Sequence, residues 1–248
     1  MSRRPLFAAN WKMHKAPGQA ADYADSFWAA AEALVPRADI VLCAPFVDLE
    51  TLRVELANSS VKIGAQDCYW EPNGAYTGEI SVSMLEAIGV SYCIVGHSER
   101  RRLFGETDDM VARKVAALLA SGITPIVCVG ESLEEKKQGW TAERVAAQVR
   151  ADLGNLSEVD RGKTVIAYEP IWAIGSGLAD DPATANATIT MIRSTLPGLE
   201  PARILYGGSM NADNAAAFCA QPEIDGGLVG SASLDPRAFV QLIKSTLL

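Results

Sequence analysis

Short apolar runs alternate with longer amphipathic ones from one end of the chain to the other. The short runs are Leu6–Asn10, Ile40–Ala44, Val61–Ala65, Tyr92–Val95, Thr124–Val129, Thr164–Tyr168, Arg203–Tyr206 and Gly227–Val229. Several, such as IVLCA, PIVCV and TVIAY, are almost continuously apolar, the pattern of strands buried on both faces. Between them, AADYADSFWAAAEAL, DDMVARKVAALLAS, TAERVAAQVRADL, ATANATITMIRSTL and DPRAFVQLIKSTLL carry the spacing of helices packed on one face. Asp181-Pro182 and Asp235-Pro236 each set a cap acceptor before a proline that needs no helical N–H, so helices are predicted to start there. Eight strand–helix units without a linker or low-complexity break predict an α/β protein, a single closed (β/α)8 barrel over 1–248. A doubly wound sheet is the alternative, but the first turn, NWKMHKAPG, lacks a dinucleotide fingerprint.

Composition narrows the partners. The 248 residues hold 22 Lys and Arg against 30 Asp and Glu, a net charge of −8, without a basic block, so no nucleic-acid partner is expected. No apolar run approaches the roughly 18–20 residues of a membrane span, and the start, MSRRPLFAANWK, is too short and polar for a signal segment, so no membrane is expected. The five cysteines, Cys43, Cys68, Cys93, Cys128 and Cys219, are odd in number and form no C-x-x-C pair, which fits reduced thiols and a cytoplasmic location. Two histidines, His14 and His97, cannot build a His-rich metal cage, and neither a metal nor a cofactor is expected.

Active sites of barrels lie where strands end and the loops toward the helices begin. Those ends carry Asn10-Trp11-Lys12, Gly96-His97-Ser98-Glu99, Cys128 and Glu169-Pro170, and the last three loops are glycine-rich: AIGSG, YGGS and LVGSAS. Each residue alone has a plain structural reading: an ion-paired glutamate, a satisfied core histidine, a solvated lysine, turn glycines. Their convergence on one face is what discriminates. Backbone N–H groups in such loops make a nest for a phosphate dianion, and Lys12 adds local positive potential. Glu169 can take a carbon-bound proton if held close and desolvated. His97, Asn10 and Lys12 can stabilise the enediolate oxygen that results. Returning the proton to the neighbouring carbon gives an aldose–ketose isomerisation.

NWKM (Asn10–Met13), VGHSERR (Val95–Arg101), AYEPIWAIGSG (Ala167–Gly177), YGGS (Tyr206–Ser209) and LVGSASL (Leu228–Leu234) resemble triosephosphate isomerase. So do GAQDCYWEPNGAYTGEIS (Gly64–Ser81), FGET (Phe104–Thr107) and CVGE (Cys128–Glu131), in the family's order across nearly the whole chain. The resemblance implies a TIM barrel that interconverts glyceraldehyde 3-phosphate and dihydroxyacetone phosphate through a cis-enediol(ate), in glycolysis and gluconeogenesis. It implies Glu169 as base, His97 as the electrophile on the carbonyl, and Lys12 and Asn10 as groups that hold and stabilise the substrate. A neutral catalytic histidine held at a helix N-terminus is this family's own standing example, so Ser98–Arg102 is expected to open a helix.

The resemblance also implies a mobile lid over Pro170–Ala179, entered through Pro170, anchored on apolar surface by Trp172, and placing the Gly175 N–H on the phosphate. Ile174 and Leu228 would wall the base. Ser209, Gly230 and Ser231 would complete the phosphate nest. Glu99 would orient Lys12, with an ion pair to a barrel arginine as the alternative. Cys128 is expected to pack near Glu169 rather than act as a nucleophile. Four departures stand out: Ser231 for a glycine, Leu178 for a lysine, His14 and Asp67 for asparagines. The long loop Asp67–Gly78 carries Tyr69, Trp70, Tyr76 and Thr77. It is expected to dock on a second copy as a homodimer, beside Asn10–Lys12, the alternative being that its aromatic residues fold back on their own barrel. Competing functions are a paralogous tetrulose phosphate isomerase, a Schiff-base aldolase, disfavoured by Glu169 in place of lysine, and a silent phosphometabolite-binding barrel that regulates a partner.

Overall fold

The computed structural model describes residues 3–174 and 179–247. Its first half runs β1 (Leu6–Asn10), α1 (Pro17–Ala31), β2 (Asp39–Ala44), α2 (Phe46–Glu55), β3 (Lys62–Ala65), α3 (Val82–Ala87), β4 (Tyr92–Val95), α4 (Ser98–Phe104) and α5 (Asp108–Ala120). The second half continues with β5 (Thr124–Val129), α6 (Leu133–Lys137), α7 (Thr141–Leu153), α8 (Glu158–Arg161), β6 (Val165–Tyr168), α9 (Pro182–Ser194), β7 (Arg203–Tyr206), α10 (Ala215–Cys219), β8 (Gly226–Val229) and α11 (Pro236–Thr246). The strands pair in parallel in chain order, and β8 returns to β1 with Leu6 opposite Gly226, closing the (β/α)8 barrel expected from the alternation.

Strand periodicity sorts the core into two. Leu6, Ala8, Val41, Cys43, Ile94, Ile126, Cys128, Val165, Ala167, Leu205 and Leu228 fill the barrel interior. Their neighbours, among them Phe7, Ala9, Ile40, Leu42, Val95, Val127, Ile166 and Ile204, face the helices. Burial on both faces is why these strands lack the polar alternation of a half-exposed sheet. The strand ends agree with the expected runs to within one residue.

Helix boundaries follow the caps. Asp181 accepts the N–H of Thr184 (2.9 Å), and Asp235 accepts those of Arg237 (2.9 Å) and Ala238 (2.8 Å), as the Asp-Pro pairs implied. α1 begins three residues before the expected AADYADSFWAAAEAL and ends three before its last residue. Pro17 supplies a first-turn residue with no N–H to satisfy, and the Gln19 side chain accepts the Ala16 N–H at 3.1 Å. The short helices α2, α3, α6, α8 and α10 lie in segments too brief to show a clear apolar period. One glycine shapes the site directly: Gly96, between β4 and His97, has φ +70°, where a Cβ would press on Val111, on Arg101 and on the Cys128 carbonyl.

Candidate active site

Each group of the site is delivered by the end of a strand. Asn10 is the last residue of β1; Lys12 follows two positions on, with φ +52°, a left-handed conformation that costs a non-glycine residue about 1 kcal/mol. The Lys12 N–H donates to Asn10 Oδ1 (3.0 Å), and Lys12 Nζ donates to Glu99 Oε1 (2.6 Å). Glu99 therefore pairs with the lysine and not with a barrel arginine, which leaves the ammonium held over the barrel mouth. His97 is the cap residue of α4, whose helix starts at Ser98 as expected. Its Nδ1 accepts the Glu99 N–H (3.2 Å), so Nε2 carries the ring proton.

Glu169 directly follows β6, and its side chain is almost wholly removed from solvent. Its Oε1 lies 3.0 Å from His97 Nε2, and its Oε2 accepts the Ser98 N–H at 3.0 Å. Burial alone would lower the His97 pKa, but the facing carboxylates of Glu169 and Glu99 outweigh it and raise the value above its ordinary 6.5. Burial likewise pushes Glu169 up, but His97 and the Ser98 N–H override it and hold the carboxylate below its ordinary 4.5. The Glu169 carboxylate is therefore ionised and held by both neighbours. Cys128 is fully buried in β5; desolvation, with Glu169 adding to it, pushes its thiol well above the ordinary range, so it stays protonated and packs rather than attacks.

These residues open on one cavity of about 230 Å³. Asn10, Lys12, His97 and Glu169 line one part of it, Ile174 and Leu228 are apolar walls, and Ser209, Gly230 and Ser231 line the rest with Gly207, Gly208, Met210 and Ala232. Of these, Met210 was not legible as a site residue, being an ordinary apolar residue after YGGS; Ala232 lies inside LVGSAS but nothing in its own chemistry singled it out. Ser231 begins a single 3-10 turn, Ser231–Ser233, and is absent from the positive-φ residues, so serine meets no backbone penalty there. The Ser233 N–H is taken by the Gly230 carbonyl (2.8 Å), while the turn itself offers no acceptor to the N–H groups of Ser231 and Ala232, two residues that line the cavity, an arrangement that suits an anion.

The remaining expected residues fall as follows. Gly175 and Leu178 lie outside the described residues. Trp172 is held by polar groups instead of apolar surface: its Nε1 donates to Glu131 Oε1 (3.0 Å), and Lys136 Nζ lies 3.8 Å from its ring centroid. His14 is exposed. Asp67 is buried, accepting from Lys114 Nζ (2.6 Å) and pairing with Arg100 (2.7 Å). Tyr69 stacks on Trp70 and tilts against Tyr76, with centroids 4.0 and 4.5 Å apart, while Tyr76 and Thr77 are exposed.

The family model for triosephosphate isomerase matches residues 5–246. A triosephosphate isomerase of Caldanaerobacter subterraneus subsp. tengcongensis is 46% identical over 253 residues, covering 98% of this chain and 99% of its own. One from a Synechococcus species is 48% identical over 243 residues (96% and 94% covered), and one from Aquifex aeolicus 44% over 247 (98% and 99%). With a matching model over nearly its whole length and full-length relatives at this identity, the chain belongs to the triosephosphate isomerase family.

Proposed function

We propose that Glu169, His97, Lys12 and Asn10 carry out the reaction of this family in the cavity they share. The protein is an isomerase that interconverts glyceraldehyde 3-phosphate and dihydroxyacetone phosphate. The observation that carries the assignment of residues is their meeting, from β1, β4 and β6, in one cavity walled by the loops after β7 and β8.

The phosphate sits against Ser209, Gly230 and Ser231, whose backbone N–H groups supply donors without adding net charge. The family resemblance assigns the Gly175 N–H to the same phosphate. Substrate entering between His97 and Glu169 breaks their 3.0 Å contact and removes the main reason the histidine is basic. His97, with Nδ1 already accepting the Glu99 N–H, then offers Nε2–H to the carbonyl oxygen as a neutral donor. Glu169 removes the proton from the hydroxylated carbon; the electron pair moves onto the carbonyl oxygen, where His97, Lys12 and Asn10 stabilise the enediolate. The proton of the hydroxyl oxygen passes to the former carbonyl oxygen, relayed by His97 Nε2, and the protonated carboxyl gives its proton to the carbon bearing that oxygen, which leaves the carbonyl on the neighbouring carbon. The Pro170–Ala179 segment acts as a lid that keeps water from the intermediate, and Ile174 and Leu228 keep the carboxylate dry.

A coupled isomerase assay on wild type and Glu169→Asp tests the base. Shortening the side chain withdraws the carboxylate by about 1 Å, and kcat is expected to fall on the order of 10²-fold or more. Unchanged turnover removes Glu169 from the role.

The chain acts as one barrel domain, in the cytoplasm, and as a homodimer. Support for the dimer is an open groove lined by Met13, Phe46, Ile94 and Phe104 beside Asn10, Lys12 and His97, together with the protruding 67–78 loop of matching aromatic character. Met13 is 94% exposed and Phe104 68%, exposures that a second subunit's loop would remove. No helix among the described residues is long and apolar enough to cross a membrane.

A further inference from the structure

The residues on either side of 175–178 meet at one side chain that belongs to neither flank. Trp172 lies before the stretch, in a 3-10 turn (Ile171–Ala173) after β6; Asp180 lies after it, ahead of α9. Lys136 comes from α6, beyond the end of β5. Its Nζ is 3.8 Å from the Trp172 ring centroid and 3.0 Å from Asp180 Oδ1. Each flank has one further hold: Trp172 Nε1 on Glu131 Oε1 (3.0 Å), and the Asp180 N–H on the Tyr206 hydroxyl (3.0 Å). Glu131 is fully buried and also accepts from the Tyr168 hydroxyl at 3.2 Å.

The local sequence explains how the lysine is brought there. A helix of five residues does not hold by itself, but Ser132 and Glu135 cap α6 reciprocally and fix its first turn. Lys136 then projects from the last turn, where positive charge is favoured. The side chain of Asp180 is 4% exposed and that of Lys136 32%, so the carboxylate has lost most of its water. It accepts the Asp181 N–H (3.0 Å), and the ammonium is the one charged group it pairs with among the described residues. The indole face asks for the same charge.

We infer that Lys136 is a positioning residue for the isomerisation: by holding Trp172 and Asp180 together, it fixes the turn Ile171–Ala173 that carries Ile174 to the cavity wall beside Glu169. The inference rests on the isomerase reading of the cavity. Lys136 is absent from the cavity lining, so it acts only through the two residues it holds. Arginine can make both contacts, since its guanidinium stacks on aromatic faces and pairs with carboxylates. Methionine keeps the length and apolar stem but neither attraction.

Steady-state kinetics on wild type, Lys136→Met, Lys136→Arg, Asp180→Asn and the Lys136→Met/Asp180→Asn double variant test this. Loss of one charge-assisted bond and one cation–π contact is expected to lower kcat/KM of Lys136→Met about tenfold, while Lys136→Arg stays within about threefold. The double variant is expected to be no worse than Lys136→Met by more than about twofold, because its second change removes a partner already lost. Wild-type kcat/KM in Lys136→Met, an arginine variant as impaired as the methionine one, or additive losses each overturn the inference. Should Lys136→Met fail to fold, Asp180→Asn carries the test: a fall of about fivefold is expected, and a wild-type value overturns it. A wild-type protein that does not isomerise triose phosphates instead overturns the reading of the cavity.

Discussion

Glu169 and His97 form a buried pair whose two members respond to pH in opposite senses. A histidine raised above its ordinary 6.5 stabilises the fold fully below that value and loses the contribution as pH rises through its raised value. A glutamate held below its ordinary 4.5 stabilises above that value and loses the contribution as pH falls through its lowered one. Both contributions are present in full between about pH 4.5 and 6.5, and each fades beyond its own side of that window. The Tm difference between wild type and His97→Gln, measured by calorimetry without ligand, is therefore expected to be most favourable to wild type near pH 5–6 and to shift toward the variant by pH 8. A difference that is flat with pH means the two groups do not exchange charge as described. At this scale the catalytic candidates were legible because their side chains are chemically unusual at strand ends. Lys136 and Asp180 were not, since an ordinary lysine and an ordinary aspartate acquire meaning only from partners 36 to 44 positions away in sequence.

Among elements, the strands were the most legible and the short helices the least. A strand buried on both faces prints an uninterrupted apolar run, as in Ile40–Ala44, whereas α6 and α10 have five residues each and less than two turns in which to show a period. The boundaries of α9 and α11 were recoverable because Asp-Pro encodes both a cap and a start. Replacing the α11 cap, Asp235→Ala, leaves two N–H groups without their acceptor and is expected to destabilise the protein by about 1 kcal/mol. Urea unfolding reads this as a lowered midpoint with an unchanged slope; an unshifted midpoint removes the cap from the account. α4 has a second duty, because its first turn both donates to Glu169 and fixes the His97 tautomer. Its sequence, SERRRLF, announces a helix, and the family resemblance put its start just after His97; that the Ser98 N–H reaches Glu169 was not legible.

At the scale of the molecule, the net charge of −8 argues against broad polyanion binding but says little about one phosphate, which in the proposed site needs only backbone N–H groups and a single lysine. In the proposed dimer the groove beside Asn10, Lys12 and His97 would make assembly a matter of function as well as stability. Light scattering at micromolar protein is expected to give a mass near twice that of the chain, and a monomeric mass defeats the proposed dimer. The aromatic loop was legible as an interface candidate from its composition. The groove that would receive it was not, because Met13, Phe46 and Phe104 are far apart in sequence.

The pairing of Leu6 with Gly226 also orders events in time. The lysine and asparagine belong to the first stave of the barrel and the phosphate loops to the last two, so nascent or refolding chains hold no working fraction of the site until the two ends of the fold meet. A contact spanning some 220 residues is among the slowest to form. Recovery of turnover after dilution from denaturant therefore cannot precede the final stave, and at protein concentrations where the proposed assembly is fast it makes catalysis itself a reporter of ring closure.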